Sequence, residues 1–401
     1  MLATVQLREW AARRGLVLGI APAGPFSRGE AALKWRVEQG LATPFAAGSL
    51  EERCRPGVLY PGARSLVVVA GPHPRPAAGA PGPGRGRVAR YAMGPDYHRL
   101  LRGHLQGLAG ILCQAGASLA AVQVDNGPLL EREAACLAGL GYYGASCNLI
   151  IPGLGTAFAL GLVVTDLELE PGKPLAPATC RNCGRCLAAC PTGALLAPGR
   201  LDPQRCLSYL TQKRGLIPPE LRPAMGSYIW GCDVCQEVCP ENYRAGEPPS
   251  LPETGLLPTG LSWPGVGDKA GSLTGGAFRL HSDRVAPHLT YPELATIITL
   301  DRAGFNQIFG STALAWRGKT VLQRNAAIAL GNQGDPAALV PLQQALHAPA
   351  AILRAHAAWA LGRLGATGHP ALAAALATEA DAIVRREIKE ALEGRCSRQP
   401  L

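Results

Sequence analysis

The chain has 401 residues, of which 47% are hydrophobic, and carries a formal net charge of +10 at pH 7. That length allows two or three domains with real cores, and the composition excludes a disordered chain. No run is apolar enough to span a membrane, since the longest candidate, SLVVVAGP, has only the length of a strand. The positive balance, carried mainly by arginine, favours a polyanionic partner such as nucleic acid without requiring one.

Arg13 and Arg14 precede an apolar run over 15–21 that Pro22 and Pro25 close. The run is too short for an export signal and reads as a helix ending near Arg14 and a strand over 16–20. Cytoplasmic residence is therefore expected. SLVVVAG (65–71) is a buried strand, and YHRLLRGHLQGLAGILCQAG (97–116) has helical apolar spacing. AAVQVDNGPLL is a strand leaving through a turn, and LLEREAACLAGLG is a helix closed by glycine. AFALGLVVTDLELE (157–170) returns as one strand or two. Helices and strands alternating in this way make 1–170 an α/β domain.

PGKPLAPAT (171–179) is a proline-rich joint, and a cysteine-rich module extends from 171 to about 245. Residues 246–309 begin rich in Gly, Pro and Ser with little periodicity and read as a linker or wrapping segment. The tail, 310–401, repeats: NAAIALGNQG (325–334) matches HAAWALGRLG (356–365), and EALEG (390–394) recurs at the same interval. Paired helices at this spacing read as a short all-α HEAT-like stack. Ten Arg/Lys against six Asp/Glu in the tail describe either solvated helix faces or a basic surface for a nucleic acid backbone.

Thirteen cysteines in a reducing compartment point to metal rather than disulfides. Cys180, Cys183, Cys186 and Cys190, followed by Pro191, have the C-x2-C-x2-C-x3-C-P spacing of bacterial ferredoxins. In that pattern three thiolates hold one cubane and the fourth reaches a second. Cys232, Cys235 and Cys239, followed by Pro240, supply the second run, and Cys206 completes it. The spacing assigns one [4Fe–4S] cluster to Cys180, Cys183, Cys186 and Cys239, and another to Cys190, Cys206, Cys232 and Cys235. Zinc also binds C-x2-C pairs, but eight cysteines interleaved in this order fit two tetrahedral sites poorly. The other five, Cys54, Cys113, Cys136, Cys147 and Cys396, are expected to be small buried apolar residues, with Cys147 also open to facing a site.

Asp125 stands at a strand end before a turn and a helix, where α/β folds often place reacting groups. It is equally a residue that suits a turn or caps a helix. The eight histidines form no close ligand pair. DYH at 96–98 begins a D-x-H-x-x-G pattern in which a His can bind cobalt, but Leu101 occupies the glycine position. The glycines of GLGYYGAS lack a preceding strand and dinucleotide spacing, and no Walker motif is present.

The chain resembles the epoxyqueuosine reductases, iron–sulfur and cobalamin enzymes that finish the queuosine modification of tRNA. The resemblance is carried in order by RYAMGPDYHRLLR, VDNGPLLEREAACLAGLGYYG, LVVTDLELE, the two cysteine motifs, RCLSYLTQKRG, MGSYIWGCDVCQEVCP and AWRGKTVLQRNAAIALGNQGD. It implies a first domain that holds cobalamin base-off with no protein His on the cobalt, beside the second cluster. It implies that Asp125 is the proton donor and that Arg53, Asp125, Ser208, Asp233 and Val234 touch the cofactor. Lys213 or Arg214 would lie near the RNA, the anticodon loop carrying epoxyqueuosine. An external donor such as ferredoxin or flavodoxin would supply electrons, and the protein would be a monomer. To be protonated near neutrality, Asp125 would need a pKa raised by burial against the corrin.

Three features depart from the family pattern. Ala145 stands where G-K-N-T or G-K-H-T has Lys, the turn is D-N-G-P, and 245–290 is longer than usual. Two other functions compete. A cobalamin reductase of a small molecule, like the reductive dehalogenases, would normally carry an export signal and no helical-repeat tail. A plain ferredoxin-like carrier would need no corrin and would leave Asp125 without a function.

Overall fold

The structure, a computed structural model, describes residues 4–45, 47–73, 81–125, 127–175, 180–243 and 287–396. Most of the expected linker or wrapping segment, up to 286, and the end of the proline-rich joint lie outside the described residues. Two compact units are present. One comprises Met1–Arg75, Asp96–Gln204 and Val234–Asp283, and the other Pro76–Pro95, Arg205–Asp233 and Arg284–Leu401. Of the cysteine-rich stretch, residues 180–204 and 234–243 fall in the first unit and 205–233 in the second. In the first unit Cys186, Leu195 and Val238 form a small core with Ala145 from the preceding α/β segment.

The first unit is built on a four-stranded sheet: β1 (Val17–Pro22), β2 (Ser65–Pro72), β3 (Ala120–Val124) and β4 (Phe158–Thr165), in the order β1-β2-β4-β3. Helix and strand alternate along the chain, but every pairing in this sheet is antiparallel. The 157–170 pattern forms one strand. β2 is buried along its whole length, as a central strand of apolar residues must be. The helices of this unit include α1 (Thr4–Ala12), α2 (Ser27–Glu38), α3 (Leu50–Cys54), α4 (Tyr97–Gln114), α5 (Glu131–Leu137) and the single-turn α6 (Arg185–Ala188). Leu101, Leu105, Leu108 and Leu112 recur along one face of α4 and are fully buried where it packs on β3 and β4. Leu101 is thus core, which explains why the D-x-H-x-x-G pattern breaks there.

The second unit is built on helices α7 (Lys319–Gln333), α8 (Leu339–Ala345), α9 (Ala351–Arg363), α10 (His369–Thr378) and α11 (Ala382–Leu392). The repeat in the sequence is a packing device. A Cβ on Gly331 would lie 2.8 Å from Ala360 Cα, and one on Gly362 would lie 2.8 Å from Ala391 Cβ, so each A-L-G lets the next helix approach closely. Several polar groups inside the stack are paired. Arg222 reaches Glu387 with two hydrogen bonds of 2.8 and 2.7 Å, both side chains being buried. His356, also buried, accepts the Ile217 amide at Nε2 and sits 2.7 Å from the Ile352 carbonyl at Nδ1. Burial holds its pKa well below the ordinary value, so the ring is neutral. Among the described residues no helix is long and apolar enough to cross a membrane.

Candidate iron–sulfur and acid–base site

Cys180, Cys183, Cys186 and Cys239 line one recess in the first unit, together with Gly144, Ala145 and Ser146. Gly184, in a left-handed conformation, starts α6 between Cys183 and Cys186 and turns the chain around the recess. Glu241, the one carboxylate of its lining, is held by Arg181 at 2.9 Å. Burial and then the charges of Cys180 and Cys183 push the Cys186 thiol up, and burial above all pushes Cys239 up to about 11. Cys186 and Cys239 therefore both feel Cys180 and Cys183. They surround a recess, and among the described residues no three His, Cys, Asp or Glu side chains are grouped as ligands of a single ion.

Of the other four, Cys190 and Cys235 belong to the first unit, and Cys206 and Cys232 to the second. Cys190 and Cys235 pack against the small core of Cys186, Leu195 and Val238, and Asn148 Nδ2 lies 3.5 Å from Cys235 Sγ. Cys147, with a left-handed φ of 61°, packs there too, beside Cys180 and Cys190. Ala145, at the position of the family lysine, is buried in this core and its carbonyl accepts the Gly199 amide at 2.9 Å. The expectation of five buried apolar cysteines holds for Cys54 and Cys396 only. Cys113 is exposed, while Cys136 and Cys147 are half-buried.

Asp125 ends β3 with φ at 52°, a conformation that costs a non-glycine residue energy and that Asp tolerates better than most. It does not cap α5, whose N-cap is Leu130 without a side-chain bond. The turn is pinned from below by Gln123, which donates to the Leu129 carbonyl at 2.9 Å and accepts the Leu129 amide at 3.2 Å. A Cβ on Gly127 would fall 2.0 Å from the Gln123 side chain, so the D-x-G-P glycine is needed for this close approach. The Asp125 side chain is 58% exposed, and its Oδ2 faces two donors. Tyr97 donates its hydroxyl hydrogen bond to Oδ2, and His98 Nε2 lies 3.3 Å from the same oxygen. The other ring nitrogen of His98, Nδ1, is 2.7 Å from Asp96 Oδ1, and Asp96 also accepts the His98 amide as the N-cap of α4.

The electrostatics correct the expectation of a raised Asp125 pKa. Desolvation pushes this carboxyl up, but hydrogen bonding to His98 and Tyr97 outweighs it and holds the pKa below the ordinary value. Burial pulls His98 down, but Asp125 and Asp96 together raise it from 6.5 to about 9. These two shifts favour a negative Asp125 and a positive His98 at neutral pH. Glu131 lies close by, raised to about 7 by desolvation and by the charge of Asp125, with its Oε1 accepting from Gln123 at 2.6 Å. The pattern DYH thus has a place in the site, although no partner for its histidine was visible in the spacing. An Asp two residues before a His at a helix start was the available signal.

Arg53 lies on α3, which starts at a capping box between Ser49 and Glu52. Desolvation lowers its pKa, and Glu131 acts on it electrostatically. Its Nε is buried and has no hydrogen-bond partner among the described residues. Such an orphaned donor fits a polar group of a bound ligand. Val234 begins a one-turn helix, Val234–Glu237, in the first unit. In the second unit, the Asp233 carboxylate is buried and accepts the Arg90 amide at 2.7 Å. Ser208 accepts from Gln212 Nε2, at 2.7 Å on its carbonyl and 3.3 Å on its hydroxyl.

Lys213 and Arg214 follow on a segment held by α7. Arg324, fully buried, donates to the carbonyls of Leu210, Lys213 and Gly215 at 3.0, 2.8 and 2.7 Å. Asn325 donates to those of Thr211 and Ile229. Desolvation and then the charge of Arg214 lower the pKa of Arg317, so these two guanidinium groups share one surface. The tail offers fewer arginines to a polyanion than its count implies. Arg324 is internal, Arg354 is paired with Glu379 at 2.7 and 2.9 Å, and Arg385 binds the carbonyls of Leu376 and Glu379.

A ferredoxin-type cysteine segment, an antiparallel α/β unit with an acid–base group and a helical-repeat stack together define an iron–sulfur oxidoreductase. Three family models match: a 4Fe-4S double cluster binding domain over 179–242, epoxyqueuosine reductase QueG, DUF1730, over 53–126, and HEAT repeats over 314–393. The epoxyqueuosine reductase of Bacillus cereus is 33% identical over 384 residues, covering 94% of this chain and 93% of the relative. A solved epoxyqueuosine reductase with a tRNA-Tyr epoxyqueuosine-modified stem loop has a TM-score of 0.83 at 31% identity, covering 97% of this chain and 98% of that one. A Bacillus subtilis structure, described with its catalytic aspartate loop swung out of the active site, matches with the same TM-score of 0.83, identity of 31% and coverage of 97% and 98%. The chain belongs to the epoxyqueuosine reductase family and is an oxidoreductase.

Proposed function

We propose that this enzyme reduces epoxyqueuosine to queuosine in the anticodon loop of tRNA, with Asp125 delivering a proton to the leaving oxygen. One observation carries the reading: the match over nearly the whole chain to the reductase solved with an epoxyqueuosine-modified stem loop. The turn bearing Asp125, with its left-handed aspartate and two donors on one oxygen, supports the acid–base role.

Cys180, Cys183, Cys186 and Cys239 would hold one [4Fe–4S] cluster, and the recess they surround suits a cubane better than a single ion. Cys190, Cys206, Cys232 and Cys235 would hold the other. Arg53, Asp125, Ser208, Asp233 and Val234 would hold cobalamin. The orphaned Arg53 Nε fits a polar group of that cofactor. When bound, the clusters would supply single electrons drawn from an external donor such as ferredoxin or flavodoxin, and cobalamin would supply a strongly reducing centre. The remaining chemistry belongs to the chain. The exposed face of Asp125 meets the breaking C–O bond where negative charge develops, so a proton placed there lowers the barrier more than it tightens binding. Lys213 and Arg214, on a segment fixed from below by Arg324, would receive RNA phosphates.

Nucleoside analysis of tRNA from a strain lacking this protein tests the function. Epoxyqueuosine is expected to accumulate and to disappear on complementation; unchanged queuosine in the deletion strain rejects the assignment.

A further inference from the structure

The reaction consumes protons, and the carboxyl assigned to deliver one is held below its ordinary pKa by the partners on its Oδ2. The geometry around it says where a proton is kept. His98 lies between two carboxylates, with Nδ1 2.7 Å from Asp96 Oδ1 and Nε2 3.3 Å from Asp125 Oδ2. A neutral imidazole has one bare nitrogen, which would then face a carboxylate lone pair. Only the imidazolium satisfies both sides. Nε2 is buried and makes no hydrogen bond among the described residues; its 3.3 Å approach to Asp125 Oδ2 is an ion-pair contact.

We propose that His98, oriented by Asp96, is the proton reservoir of the site, and that the proton given to the leaving oxygen comes off its Nε2 by way of Asp125. The reading of Asp125 as proton donor underlies this inference. The step balances simply: an N–H bond breaks at His98, an O–H bond forms on the leaving oxygen, and Asp125 ends as the carboxylate it began. His98 ends neutral. Tyr97 also donates to Asp125 Oδ2, but giving up its proton would leave a phenolate beside a carboxylate. Loss from the imidazolium removes charge from the site instead of adding it. His98 is therefore a positioning and proton-holding residue acting through Asp125.

The groups that set its charge are few. From its own helix come Asp96, Tyr97, whose ring stacks on it at 4.0 Å, and Arg99, which acts on Asp96. From the turn and helix beyond β3 come Asp125, with Glu131 and Arg132 acting on it or feeling it. Beyond β2, His73 meets Tyr97 edge-on at 5.6 Å. His98 gains two carboxylate partners on folding, so its raised pKa keeps it charged through neutral pH and releases the proton only as pH rises through about 9.

Two measurements test the inference. Nitrogen NMR of the full chain with labelled histidine reads the ring directly, with His98→Gln identifying the signal. Both ring nitrogens are expected to be protonated at pH 8, and Asp96→Asn should lower the pH at which that signal changes. A neutral ring at pH 8 overturns the proposal. The pH profile of kcat/KM for the reconstituted enzyme is the second. Wild type should decline only in the alkaline range, whereas His98→Gln should already have lost about tenfold by pH 8 relative to pH 6. Tyr97→Phe should keep the wild-type limb. A His98→Gln profile with an unmoved limb overturns the reservoir while leaving Asp125 as donor; normal turnover in Asp125→Asn removes the donor role itself.

Discussion

Replacing Asp125 with Asn removes one negative charge while keeping the shape of the side chain. In the structure that charge supports His98 across 3.3 Å. The rise of His98 from 6.5 to about 9 corresponds to about 3 kcal/mol, shared between Asp125 and Asp96 against the cost of burial. Removing Asp125 should take away at least about half of it, and burial then pulls His98 further towards its ordinary value. The variant thus loses both the carboxylate that delivers the proton and part of what holds it. Loss of a positioned acid typically costs about 10²–10⁴ in rate, or roughly 3–5 kcal/mol. Asn keeps an amide oxygen for the Tyr97 hydroxyl, so the turn should stand. Asp125 is also absent from the lining of the thiol recess, so cluster loading should be unchanged. The assay is single-turnover reduction of epoxyqueuosine in tRNA, followed by nucleoside mass spectrometry, with the cluster absorption spectrum as a loading control. A loaded variant that turns over within about threefold of wild type refutes the acid–base assignment.

Cys183→Ser should lower iron and labile sulfide by roughly half and leave one cluster signal in low-temperature EPR of the reduced protein; full iron content counts against the ligand assignment. Gly362→Val puts side-chain atoms where a Cβ already lies 2.8 Å from Ala391 Cβ, and overpacking of this kind costs about 1–3 kcal/mol. Thermal unfolding should shift down by several degrees, and an unshifted midpoint contradicts the packing account of the repeat. Arg214→Ala should weaken binding of the anticodon stem loop and reduce the salt dependence of log Kd by about one phosphate contact, read by titration at several salt concentrations. A parallel salt slope removes Arg214 from the RNA surface.

The parts of the molecule written in local spacing were legible in the sequence. The cysteine pattern grouped Cys180, Cys183 and Cys186 with the distant Cys239, and the structure brings those four to one recess. The repeat of A-L-G foretold the helical stack, because its glycines and alanines are where neighbouring helices touch. What was not legible depends on contacts between distant segments. The strand pattern carried no sign of direction, so the antiparallel sheet was visible only in its register. The count of basic residues in the tail hid that Arg324 serves carbonyls inside the protein. The surroundings of Asp125 were hidden for the same reason. Burial alone raises a carboxyl, but the hydroxyl of Tyr97 and the imidazole of His98 come from the start of α4, 27–28 residues earlier, and they reverse the sign.

The most direct test is in vitro. The purified protein, anaerobic and loaded with two [4Fe–4S] clusters and cobalamin, is given a low-potential reductant and tRNA carrying epoxyqueuosine. The account predicts queuosine in the digested product, dependent on the cofactors and abolished when the reductant is withheld. Unchanged epoxyqueuosine with both clusters and cobalamin demonstrably bound would contradict it.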